Sequence, residues 1–200
     1  MKDLYLLNPE ITFLNHGSFG ACPKPVFEEY QRWQHKLEQQ PVEFMARDIY
    51  DYLKEARDSL GKFVGCSGDD LVYVTNPTTA VNTIIRSLDF GPGDEILTTD
   101  QEYGALIRTW NQYADKRGFK LVEHVTQFPM TTHEGFVNKF WSDVNEKTKV
   151  IFISQITSAT GVILPAEEIC RRAKAEGIMT IIDGAHVPAH IPLSISEMDP

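Results

Sequence analysis

Two hundred residues, 42% apolar and 24% charged, suffice for one substantial core, so a single domain or a large part of one is expected and no miniature scaffold is needed. A formal charge of −9 without long runs of one sign disfavours nucleic acid and membrane as partners, and no apolar stretch is long enough to span a bilayer. Cys22, Cys66 and Cys170 are odd in number, distant and without CxxC spacing, and the start lacks a signal-like apolar run, so a reducing, cytoplasmic location is expected.

After a loop carrying Asn15-His-Gly-Ser-Phe-Gly20, Pro25 starts a helix through Gln39, and a second runs from about Glu43 to Phe63. Its Ile49, Leu53, Ala56, Leu60 and Phe63 share one face, a pattern for packing against something larger. From Asp70 the pattern alternates. Strands are predicted at 71–75, 95–99, 120–125, 150–154 and 179–183, with helices at 80–88, 103–117 and 165–176. Gly91-Pro-Gly-Asp94 reads as a turn, and Gly118 as the residue closing a helix. The fold class is therefore α/β, a mostly parallel sheet with helices on both faces, preceded by an N-terminal helical segment. Ligands in such folds gather beyond the carboxyl ends of the strands.

Three strand ends carry candidate chemistry. Thr78 and Thr79 sit at a helix start, where free N–H groups and the helix dipole favour a phosphate, although capping alone explains hydroxyls there. Tyr103 follows the second strand with Gly104 behind it, a position for stacking on a flat ring or for packing on its own domain. Asp183 ends the last strand, where it can satisfy a backbone N–H, ligate metal, hold a ribose or pair with a protonated ring nitrogen. A metal site from Asp183, His186 and His190 is disfavoured because Pro188 and Pro192 break the helical register that would align the histidines. Neither GxGxxG nor a Gly-rich loop ending in Lys-Ser or Lys-Thr is present, which removes dinucleotide and P-loop enzymes. A ligand with a phosphate, an aromatic ring and a basic nitrogen would use all three strand ends, and pyridoxal phosphate is such a ligand.

With Asn76-Pro-Thr-Thr-Ala-Val-Asn82, Arg86-Ser-Leu-Asp-Phe-Gly-Pro-Gly-Asp94, Glu102-Tyr-Gly-Ala105, Thr157-Ser-Ala-Thr-Gly161 and Asp183-Gly-Ala-His186 added to the Asn15 loop, the chain resembles class V aminotransferases of fold type I, in the isopenicillin N epimerase-like group. The resemblance implies that Thr78 and Thr79 hold the cofactor phosphate, Tyr103 stacks on the pyridine ring and Asp183 pairs with its nitrogen. It implies further that Ser158 and His186 lie near the reactive end of the cofactor, and that Asn15, His16 and Arg47 are on the substrate side. Departures from the family pattern are Pro77, Gln101, Gln155 and Ala159, and the two glutamines replace imidazoles.

The family's Schiff-base lysine follows the Asp strand, yet the last lysine here is Lys174, so no catalytic lysine is expected in this chain, Lys149 and Lys174 being poor substitutes. The expected organisation is an N-terminal loop and helical segment (1–66) and a partial cofactor-binding major domain (67–200), with the small C-terminal domain absent and the chain the N-terminal portion of a longer enzyme. The resemblance implies a pyridoxal-phosphate enzyme acting on an amino acid by epimerisation, C–S cleavage or amino transfer, homodimeric at full length. The alternative is a catalytically silent relative that binds cofactor or a partner subunit without a covalent bond to the cofactor.

Overall fold

A computed structural model describes residues 2–130 and 132–200, and its contacts divide the chain into two compact units, Met1–Ser59 and Leu60–Pro200. In the first, an isolated antiparallel bridge between Tyr5 and Pro23 leads into α1 (Lys24–Gln39), which has a proline in its first turn. A short α2 (Pro41–Glu43) passes through a π-helical turn (Phe44–Asp48) into α3 (Ile49–Val64). Trp33 meets Tyr52 edge-on at 4.8 Å, and the Lys36 ammonium donates to the Tyr52 hydroxyl at 2.6 Å while lying over its ring. The apolar face expected on α3 is not a buried stripe. Leu60 and Phe63 are 43% and 60% exposed, and only Gly61 and Val64 of that helix are buried.

The second unit is built on a four-stranded, wholly parallel sheet in the order β2-β1-β3-β4, formed by β1 (Glu95–Thr99), β2 (Lys120–His124), β3 (Thr148–Ser154) and β4 (Met179–Asp183). Short apolar runs make these strands because both faces are covered. On one face Ile96, Val150, Phe152 and Ile181 pack with Val81, Ile85, Leu106 and Trp110 from α4 (Pro77–Ser87) and α5 (Gly104–Arg117). On the other, Leu97, Ile151 and Ile153 pack with Phe136, Phe140, Ile169 and Ala173 from α6 (His133–Trp141) and α7 (Ala166–Ala175), with Met198 of α8 (Ile195–Met198). The strict alternation along β3 divides these cores.

Four of the five expected strands are present. The fifth, 71–75, joins none of them: Leu71 has extended backbone, but no strand is formed, and Val72 is 83% exposed. β-branched residues favour extended backbone, but a strand also needs a partner ladder, which this segment lacks within the sheet. The helix expected at 80–88 starts at Pro77 instead, because the Asn76 side chain caps it by accepting from the Thr79 N–H at 2.8 Å. Helix α6, capped by Thr132, escaped the sequence reading, as Gly135 in its first turn blurs the pattern. Gly118 closes α5 with a left-handed φ of 82°, as expected.

Candidate functional site

All four strands run parallel, so Thr99, His124, Ser154 and Asp183 end at one edge, with Thr99 opposite His124 and Ser154 opposite Asp183 in register. The Asp183 side chain is 9% exposed and its Oδ1 accepts from the Ala185 N–H at 2.9 Å. That bond shapes the turn after β4, where Gly184 accepts from the Val187 N–H and His186 is half-buried.

Tyr103 stands at the start of α5, 48% exposed. The five residues from Thr99 to Tyr103 are bound back to β3 by Glu102, which sequence reasoning passed over as a mere part of a motif. Its Oε1 accepts from the Thr99 hydroxyl at 2.6 Å, and its Oε2 accepts from both the N–H and the hydroxyl of Ser154, at 2.8 and 2.6 Å. Burial pushes the Glu102 carboxyl up, against the Ser154 and Thr99 hydrogen bonds and with a contribution from the Asp183 charge, to about 7. The sequence gives no sign of this, since an acid just past a strand end is normally solvated.

Thr78 and Thr79 belong to the first turn of α4. Asn82 Nδ2 donates to the Thr78 carbonyl at 2.9 Å and to the Thr109 hydroxyl at 3.3 Å, and Thr109 Oγ1 donates to the Ala105 carbonyl. The starts of α4 and α5 therefore lie side by side, and α5 starts at the carboxyl edge. Thr78 is half-buried and takes no part in the Asn76 cap, while Thr79 is exposed.

Ser158 is exposed at the tip of a turn closed by the Ile156–Ile163 bridge and by the bond from Val162 N–H to Thr157 Oγ1. Thr160 Oγ1 donates to Gln101 Oε1 at 3.3 Å, which brings that turn to the Tyr103 loop. Gln155 is buried, with its N–H bonded to the Asp183 carbonyl at 3.0 Å, and it borders a cavity of 710 Å³ lined also by His133, Asn138, Leu164 and Arg172. That cavity takes in none of Thr78, Tyr103 and Asp183, which share an edge rather than the walls of this cavity.

Asn15, His16 and Arg47 lie in the first unit. His16 Nδ1 accepts from the Ala21 N–H, its ring meets Phe13 edge-on at 4.7 Å, and it borders a cavity of 560 Å³ with Tyr5, Ile11 and Lys24. Arg47 is exposed in the π-helical turn, and Asn15 is exposed. Lys149 lies at the start of β3, the end opposite Ser154, and Lys174 on α7 is paired with Asp199. Among the described residues no group of three or more His, Cys, Asp and Glu side chains is placed to hold a metal ion, and no helix is long and apolar enough to cross a membrane.

A buried carboxylate at a strand end with one oxygen committed fits a protonated ring nitrogen, and the paired helix starts fit an anion. The pyridoxal phosphate expected from the sequence therefore meets a compatible donor set.

The comparisons with known proteins agree. Isopenicillin N epimerase of Streptomyces clavuligerus is 34% identical over 194 residues, 96% of this chain and 48% of that protein. An L-cysteine desulfhydrase-like protein of Epichloe uncinata is 29% identical over 208 residues, covering 100% of this chain and 44% of its own. Among solved structures, a C-DES variant with glycine covalently linked to its pyridoxal phosphate cofactor superimposes with a TM-score of 0.83 at 23% identity, over 96% of this chain and 51% of that one. The chain thus spans about half the length of the relatives it matches. The family described as Aminotransferase class-V, a pyridoxal-phosphate-dependent family, matches residues 20–200, and the chain belongs to it.

Proposed function

We propose that this chain supplies the cofactor-holding part of a pyridoxal-phosphate enzyme acting at the α- or β-carbon of an amino acid, by epimerisation, C–S cleavage or amino transfer. The observation that carries the reading is the buried Asp183 at the carboxyl end of β4, on the edge from which the Tyr103 turn is tied to β3. Epimerase and desulfhydrase-like relatives support the amino-acid substrate and the first two reactions.

When bound, the cofactor supplies an electron sink for negative charge developing at the substrate carbon. In this reading the Asp183 carboxylate holds the proton on the ring nitrogen, because an adjacent anion favours the cationic form. Thr78 and Thr79 bind the phosphate at the start of α4, with the helix dipole behind them. Tyr103 covers one face of the ring, and Ser158 and His186 orient its reactive side. Asn15, His16 and Arg47 stand on the substrate side in this proposal, as the family resemblance implies. The full-length protein in this proposal is a homodimer, which sedimentation tests.

Titration with pyridoxal phosphate, followed by absorbance and quenching of intrinsic fluorescence, is expected to show saturable binding. Asp183→Asn should weaken it by about 10- to 100-fold, the scale of a hydrogen bond to a charged group. Equal affinity of wild type and variant would overturn the assignment. A second reading, binding without covalent attachment, is favoured by Lys149 at the far end of β3 and Lys174 in an ion pair. Borohydride treatment of the mixture followed by intact-mass measurement decides it: an unchanged protein mass supports non-covalent holding, and an added cofactor mass refutes it.

A further inference from the structure

Glu102 has no task in that reading, yet it is among the most heavily bonded groups at the carboxyl edge. Three donors converge on its carboxyl, two of them hydroxyls at 2.6 Å, and it is 8% exposed. Charge-assisted bonds of this length are roughly twice as strong as neutral ones. Thr99 and Ser154 end two neighbouring strands, so the carboxyl joins β1, its own turn and β3. Tyr103 is the next residue and starts α5 without a side-chain cap of its own, so the direction of its ring follows from the turn. Ser154 in turn is paired in register with Asp183, whose charge acts on Glu102.

We propose that Glu102 is a positioning residue of the cofactor site, holding the Tyr103 turn against β3 so that the spacing between the phenol ring and the Asp183 carboxylate is set by the hydrogen bonds of Glu102 and follows its protonation. This rests on the cofactor reading, because that spacing is what a ring held between Tyr103 and Asp183 would use. The exchange is a simple one: a proton from solvent adds to the Glu102 carboxylate, and the protonated oxygen must then donate to the Thr99 or Ser154 hydroxyl, which reverses that bond. With the carboxyl lifted to about 7 by burial, both patterns are populated near neutrality.

The other titratable groups of this edge are known. Asp183 comes from β4 and His186 from the turn after it, while His124 ends β2 with Asp143 at 2.6 Å. On the turn itself, Asp100 is held low: burial raises it, but the Thr126 N–H and the Gln101 amide outweigh that. Arg108 of α5 lies beside Gly104, and β3 contributes only the uncharged Ser154.

The test uses the cofactor-free protein labelled with ¹³C at Glu carboxyls and Tyr rings, with Glu102→Gln and Tyr103→Phe to assign the signals. In wild type the Glu102 signal is expected to titrate near 7, with the Tyr103 ring signal moving at the same midpoint. In E102Q the Tyr103 signal is expected to stay flat between about pH 5.5 and 8.5, and pyridoxal phosphate affinity to fall about tenfold. A Tyr103 signal that ignores Glu102 in wild type, or moves identically in E102Q, overturns the proposal. Should E102Q not fold, Ser154→Ala removes one donor to the carboxylate and should move both midpoints upward together; a Tyr103 midpoint that stays put overturns it equally. Failure of wild type to bind pyridoxal phosphate would sink the cofactor reading while leaving the coupling between Glu102 and Tyr103 to be judged by the signals alone.

Discussion

Glu102 is kept as an acid in a place where its charge is costly. Its folded value of about 7 lies above the ordinary 4.5, so the folded state binds more protons than the unfolded state between those two values. Stability from this group is therefore fully present below pH 4.5 and is lost as pH rises through 7. Glutamine at 102 cannot titrate. The difference in unfolding free energy between E102Q and wild type should shift toward the variant by up to about 3 kcal/mol between those pH limits, at about 1.4 kcal/mol per pH unit. Denaturant melts of both proteins across this range measure it, and parallel pH profiles would contradict it. Asp183 shows a related economy, since one of its oxygens fixes the turn through the Ala185 N–H.

At the scale of elements, short polar devices set where helices begin and end. Removing the Asn76 cap by Asn76→Ala leaves the Thr79 N–H without its acceptor and should cost about 1 kcal/mol, read from the midpoint of a urea melt. Gly65, just after α3, has a φ of 74°, and a Cβ there would meet Ser194 Cα at 2.8 Å. Gly65→Ala should therefore destabilise by about 2 kcal/mol or more, combining the left-handed penalty with a clash against backbone, and a thermal melt unchanged from wild type would refute it. Residues 71–75 illustrate the opposite case. Their composition suits a strand, yet no local device supplies the neighbour, so the segment stays outside the ladder.

At the scale of the second unit, one sheet separates two cores. Phe152 is fully buried on the face toward α4 and α5, and Ile153 on the face toward α6 and α7. Phe152→Ala should cost about 3–5 kcal/mol and Ile153→Ala about 2–5 kcal/mol. Because the two side chains lie on opposite faces, the double variant should lose nearly the sum, and a coupling above about 0.5 kcal/mol in chemical denaturation would show that the faces are not independent. β2 and β4 form the two edges of the sheet, and Met179 on β4 is 47% exposed. Unpaired edges of this kind favour self-association, so concentration-dependent elution on size exclusion is expected, and a constant monomer elution would refute it.

Four strands, most of their connecting helices and the position of Asp183 at a carboxyl end were readable because apolar runs, turn residues and Gly118 are local signals. The motifs around Thr78, Tyr103 and Asp183 were likewise sufficient to point to the class V family and its cofactor. Strand order, the exclusion of 71–75 from the sheet and the exposure of the α3 face were not readable, since each depends on which surface a distant segment offers. The burial of Glu102 is the clearest instance. Its neighbours Thr99 and Ser154 are 3 and 52 residues away in sequence, and only the pairing of strands brings the second of them within hydrogen-bond distance and takes the carboxyl out of water.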